Sequence, residues 1–255
     1  MGEAILRGIL RSGGLQPSQI FASDARSEVA RDLASKHGIR TSTNNLEVAG
    51  GCQAALVCVK PYQMASVLDS DPMRAALVGK PVISIAAGVR LEKLRGFLPG
   101  SAIIRAMPNT PALIGEGMTG LARGKGTTDA QMVLGLALFG AVGKAVEVDE
   151  THMDIVTALS GSGPAFVFVM IDALADGAVK LGLRRDVAVS IAVQMVQGAA
   201  RMVAQTGTHP AVLKDQVTTP GGCTVAGLSV MEEGRIRSVL AKTIEETART
   251  AGKLG

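Results

Sequence analysis

The sequence predicts a doubly wound α/β unit over residues 1–149, followed by an all-helical unit over residues 150–255. Short apolar runs alternate with amphipathic stretches up to about Val148, the strand signals stop near Asp149, and long Ala-rich runs fill the remainder. With 255 residues, 47% of them hydrophobic, the chain is long enough for two modest cores.

The opening MGEAILRGIL reads as a helix with Gly2 at its tip. IFAS at 20–23, AALVCVK at 54–60, PVISIAAG at 81–88 and SAIIRAMPN at 101–109 read as strands, their continuous apolar character suiting a parallel sheet covered on both faces. Between the first two of these runs, SEVARDLASKHG at 27–38 sets Val29, Leu33 and Ala34 on one helical face. Gly38 is its expected C′ residue, and the length fits a right-handed crossover. Beyond Asp149, helices are expected at 164–181, 185–205, 223–233 and 235–254. They are apolar around much of their circumference, so an intertwined homodimer is expected to cover them.

Composition narrows the function. The net charge of +4 is scattered, and one Tyr, five Phe and no Trp make no stacking platform, which argues against a nucleic-acid partner. Mild basicity favours an anionic substrate or cofactor instead. Cys52, Cys58 and Cys223 form no CxxC pair and are odd in number, arguing against a disulfide framework or zinc site and for a cytoplasmic protein. His37, His152 and His209 are too far apart to suggest a metal. The longest apolar stretch, Ala165 to Ile171, is shorter than a bilayer requires, and the residues around Glu3 and Arg7 hold no signal-peptide core, so no membrane association is expected.

A doubly wound sheet binds ligands outside the carboxyl ends of its strands. After the first expected strand come Ser23, Asp24, Ala25 and Arg26. Asp24 can accept from a ribose 2′-hydroxyl and Arg26 can hold a 2′-phosphate, leaving NAD and NADP both open; a solvated helix cap explains the same residues. Val59-Lys60-Pro61, Ala86-Ala87-Gly88 and the segment from Met107 to Pro111 follow later strands, where small residues and prolines let backbone approach a flat ring, with Lys60 and Asn109 as polar contacts. Turn residues in such places also serve structure alone. Pro220-Gly221-Gly222 can bare N–H groups at the start of a helix from Cys223, a good seat for a carboxylate. A plain N-terminus with Thr224 satisfying the first turn is the alternative.

Taken in order, GEAILRG, VKP, AAGV, RAMPNTP, ALSGSGPAFVF, ALADGAVKLGL and LKDQVTTPGGCTVAGLSVMEEG resemble the pyrroline-5-carboxylate reductase family along essentially the whole chain, most diagnostically at residues 213–233. The resemblance implies reduction of 1-pyrroline-5-carboxylate to L-proline, the last step of proline biosynthesis, with NADPH as cofactor and NADH as the alternative. It also implies swapped dimers, often in rings. Position by position, it implies Met1 and Gly2 at the end of the phosphate loop and Ser23, Asp24 and Arg26 at the adenosine ribose. Asn45, Val59, Lys60, Pro61, Ala86, Ala87, Gly88 and Asn109 are implied as cofactor contacts, and Gln216, Gly221, Gly222, Cys223 and Thr224 as the substrate loop. Thr224 is then the expected hydrogen-bond partner of the ring nitrogen. A cyclic imine is basic enough to arrive as an iminium, so no strong acid is needed.

Two departures from the family stand out. Cys223 occupies a position where relatives have Ala or Thr, and the strand and first two glycines expected before Gly2 are absent from the sequence, so the sheet is expected to lack its first strand. Two other functions remain as alternatives. A β-hydroxyacid dehydrogenase would carry a Lys and an Asn four residues on where this chain has GSGPAFVFVMIDALADG, and a non-catalytic dimeric scaffold would bind no NADPH.

Overall fold

The computed structural model describes Met1–Lys253. Its first half runs α1 (Gly2–Arg11), β1 (Phe21–Ser23), α2 (Ser27–His37), β2 (Arg40–Ser42), α3 (Asn45–Gly51), β3 (Ala55–Val57), α4 (Met64–Leu68), α5 (Asp71–Leu77), β4 (Pro81–Ser84), α6 (Leu91–Phe97), β5 (Ala102–Met107), β6 (Gly117–Arg123), α7 (Asp129–Gly140) and β7 (Gly143–Glu147). A short α8 (Met153–Val156) and a π turn (Thr157–Gly161) follow, then α9 (Gly163–Lys180), α10 (Arg185–Thr206), α11 (Pro210–Gln216), α12 (Cys223–Glu233) and α13 (Ile236–Ala251). The expected helix at 235–254 thus forms, although Leu254 lies outside the described residues. Met1–Ser162, with the segment from Glu246, makes one compact unit, and Gly163–Glu245 the other.

In the first unit the strands form two sheets, β1 parallel to β2, and β3-β4-β5-β6-β7 in sequence order. The ladders from β3 to β5 are parallel, as expected, but β6 runs antiparallel to β5 before β7 rejoins β6 in parallel. Helix α2 therefore leads into β2, which apolar patterning missed, and not into the run at 54–60. Arg40-Thr41-Ser42 is too short and polar to announce a strand. Gly38 does end α2 in the left-handed conformation, with φ of 66° and its N–H on the Ala34 carbonyl.

Alternation along β4 and β5 builds a core on each face of the larger sheet. Ile83, Ile104 and Ala106 meet Ile5 and Ile9 of α1 and Met132 and Phe139 of α7, while Val82 and Ile103 meet Leu68, Leu77, Leu94 and Met153 on the other face. Helices on both faces are what the doubly wound expectation requires. Arg105 falls on the second of these faces. Its guanidinium, 5% exposed, lies 3.5 Å from Glu150 and 3.7 Å from Asp154, fastening the segment after β7 to the sheet. Glu150 also accepts from the Leu91 N–H at the start of α6.

The second unit is helical throughout, with α9 packed on α10. Within the chain these helices bury little beyond Ala175, Ala188 and Ala192, and Phe168, Val169 and Ile191 are 64%, 69% and 57% exposed. The helical stretches Glu150–Lys180 and Arg185–Thr206 are long enough to cross a bilayer and each holds an 18-residue window apolar enough to do so, with mean hydropathies of 1.6 and 1.4. The unbroken run from Ala165 to Ile171 understates their apolar length, because Val, Leu, Ile, Met and Ala recur between the polar residues on either side of it.

Candidate active site

Helix α1 starts without a side-chain cap on its first N–H groups, leaving them available to an anion. A Cβ added to Gly2 would lie 3.1 Å from the Cys58 Cβ, so this helix tip abuts the end of β3, next to Val59, Lys60 and Pro61. Pro61 opens a single 3₁₀ turn, Pro61–Gln63, for which Lys60 is the N-cap residue, its N–H held by Gln63 Oε1 at 3.1 Å. After β4, the Val89 N–H bonds back to the Ala86 carbonyl around Ala87 and Gly88. Gly88 has φ of 78°, which a side chain would oppose, and the turn has little bulk to keep a flat ligand away.

At the end of β1, Ser23 Oγ donates to Asn45 Oδ1 at 2.8 Å, joining two residues that the sequence assigned to one ligand from 22 positions apart. Asp24 and Arg26 meet in a two-point pair, Nε to Oδ1 at 3.1 Å and Nη2 to Oδ2 at 3.3 Å, while the Arg26 N–H also bonds Oδ1. The guanidinium holds the Asp24 carboxyl below the usual carboxylate range. The acid and the base that offered alternative readings of the nucleotide are therefore bound to each other.

Asn109 is committed inward. It is 8% exposed, its Nδ2 donates to the Ser160 carbonyl at 3.1 Å and lies 3.3 Å from Ser160 Oγ, and its Oδ1 accepts from the Met118 N–H at 2.9 Å. The residue expected to contact the cofactor thus also ties the loop after β5 to the π turn. Ser160 was not singled out in the sequence, although ALSGSGP contains it, because a π turn has no composition signal of its own.

In the second unit, α11 ends at Gln216, Gly221 takes φ of 67°, and Gly222 is the N-cap of α12 with no side-chain cap. A Cβ on Gly222 would sit 2.2 Å from Thr219 Oγ1, so a side chain here would have to displace that hydroxyl. Cys223 and Thr224 are the first two residues of the helix. The Thr224 hydroxyl makes no hydrogen bond among the described residues, so it does not satisfy the first turn as the alternative required. Three free thiols, and no cluster of three or more potential metal ligands among the described residues, complete the chemistry in view.

A largely parallel sheet with small residues in its strand-end loops and an open helix tip beside one of them, followed by helices whose apolar faces lie open, belongs to the class of two-part dinucleotide-binding proteins. A family model described as NADP oxidoreductase, coenzyme F420-dependent, matches residues 1–88, and one described as pyrroline-5-carboxylate reductase dimerisation matches residues 150–254. The chain is 42% identical to a pyrroline-5-carboxylate reductase of Methanosarcina acetivorans over 256 residues, covering 100% of this chain and 94% of that one. An Arabidopsis thaliana protein of the same name is 40% identical over 254 residues, covering 100% and 92%. Among solved structures, a pyrroline-5-carboxylate reductase from Coxiella burnetii matches with a TM-score of 0.95 at 31% identity, over 100% of this chain and 94% of that one. The Plasmodium falciparum pyrroline carboxylate reductase with NADP bound matches at 0.87 and 29% identity, over the same shares. The chain belongs to the pyrroline-5-carboxylate reductase family.

Proposed function

We propose that this protein reduces 1-pyrroline-5-carboxylate to L-proline, with NADPH preferred to NADH. The observation that carries the reading is likeness over the whole chain, joined to a glycine-framed helix start at Gly221-Gly222 whose threonine hydroxyl is free. The residues of the first unit suit a dinucleotide. The open N–H groups at Met1 and Gly2 suit its pyrophosphate, the loop of Ser23, Asp24, Arg26 and Asn45 its adenosine ribose, and Val59 to Pro61, Ala86 to Gly88 and the Asn109 loop the remainder. When bound, the reduced nicotinamide supplies hydride to the imine carbon.

The protein's own part is to orient and desolvate. Backbone N–H groups around Gly221, Gly222 and Cys223 hold the substrate carboxylate, and Gln216 borders them. Thr224 Oγ1 accepts from the protonated ring nitrogen and keeps that contact as the nitrogen becomes a secondary amine. The substrate arrives already as an iminium, and no side chain has to deliver a proton before hydride moves.

Open apolar faces on α9 and α10, in a segment matched by a dimerisation model, support a homodimer; they do so in preference to a bilayer, and rings of dimers extend the same reading. Three unpaired cysteines support a cytoplasmic location. Steady-state kinetics of Thr224→Val test the function. Losing one hydrogen bond of about 1 to 3 kcal/mol should lower kcat/KM for the imine roughly ten- to hundredfold, while NADPH affinity stays and Thr224→Ser keeps most activity. Unchanged kcat/KM in the Val variant would remove Thr224 from the reaction. A folded dimer with no affinity for NADPH would make the chain a scaffold.

A further inference from the structure

The loop after β5 and the π turn are 51 residues apart in sequence, and partly buried hydrogen bonds around the buried Asn109 close a circuit between them. Asn109 Nδ2 donates to the Ser160 carbonyl, Ser160 Oγ donates to the Met118 carbonyl at 3.2 Å, and the Met118 N–H returns to Asn109 Oδ1. The turn itself is held open by the Ser162 N–H reaching back five residues to the Thr157 carbonyl at 2.9 Å. Thr157 Oγ1 adds a bond to the Met153 carbonyl at 2.8 Å. One residue beyond Ser162 the chain leaves the first unit.

A buried amide used on both ends orders what it touches, because breaking one bond strands a polar group in the interior. Regular helix through residues 157–161 would offer Asn109 a different carbonyl in a different place. The asparagine therefore selects the wider turn, and the turn in turn fixes the loop from Met107 to Pro111.

We infer that Asn109 and Ser160 form a positioning tie for the reaction: Asn109 touches no reacting atom but locks the loop after β5 to the π turn through Ser160, so the two hold one geometry during hydride transfer. This rests on the reading of that loop as cofactor-facing. It gives Asn109 a role other than direct contact with the cofactor.

The test uses Asn109→Ala, Ser160→Ala and the double variant of the full-length protein, with kcat, KM for the imine, NADPH Kd and hydrogen exchange at the Ser162 and Met118 amides. Small misplacement of reacting groups is costly, so Asn109→Ala should lower kcat about tenfold and Ser160→Ala a few-fold, with NADPH Kd moving by less than about threefold. Both act through one circuit, so the double variant should be no slower than Asn109→Ala alone. Exchange at Ser162 should quicken in Asn109→Ala. A Kd that rises about tenfold in Asn109→Ala, with Ser160→Ala like wild type, would make Asn109 a direct ligand and overturn the tie. So would multiplying effects, or a lower melting temperature with kcat unmoved. The exchange measurement needs no turnover: unchanged Ser162 exchange overturns the tie alone, whereas a wild-type protein that does not turn over overturns the functional reading first.

Discussion

Thr119 lies on β6 with 1% of its surface exposed, and its hydroxyl is buried without a partner among the described residues. Burying an unmet hydroxyl opposes folding, and valine has the same shape without it. Thr119→Val should raise stability by about 1 kcal/mol in urea denaturation, and a loss would reveal a partner for the hydroxyl. Asp24 sets a second prediction. Its carboxylate occupies the Arg26 guanidinium and would repel a 2′-phosphate, so Asp24→Ser should raise the ratio of kcat/KM for NADPH to that for NADH several-fold. A ratio that falls would mean Asp24 helps to place Arg26 for the phosphate. The Asp24 and Arg26 loop was legible in the sequence because both residues follow one strand within three positions. The Asn109 contacts were not, since they depend on a partner distant in sequence and on the register of a π turn.

Among the elements, the junction held by Arg105 is the most exposed to a single change. Glu150 and Asp154 reach the buried guanidinium from the segment between β7 and α9, and removing the cation would leave Glu150 with the Leu91 N–H and Asp154 with Arg90 at 3.9 Å. Arg105→Ala should cost about 1 to 3 kcal/mol of stability in urea denaturation. Asp154→Asn, which keeps the shape and removes one charge, should cost less; the reverse order would show that the pairs are not what holds the segment. The long helices and the strands β3, β4 and β5 were legible because each carries an apolar run of the right period. Strands β2, β6 and β7 were not. RTS offers no apolar face, GMTGLAR is broken by glycine, and GKAVE alternates too briefly to stand out, so their pairing is decided by neighbouring strands.

For the whole molecule, the uncovered faces of α9 and α10 decide how it exists in solution. Phe168, Val169 and Ile191 stand exposed on this pair of packed helices, apolar surface that association would take out of water. The protein should be recovered without detergent and sediment as a dimer or a multiple of it, and Val169→Lys should give monomer or aggregate with little activity. Recovery only with membranes would point instead to the bilayer that the same helices are long enough to cross. Imine reduction is tested most directly by product analysis. Purified protein given racemic 1-pyrroline-5-carboxylate and NADPH should form L-proline mole for mole with the NADPH consumed, leaving the D-enantiomer of the substrate behind. NADPH that binds but is not consumed, or is consumed without L-proline appearing, would contradict it.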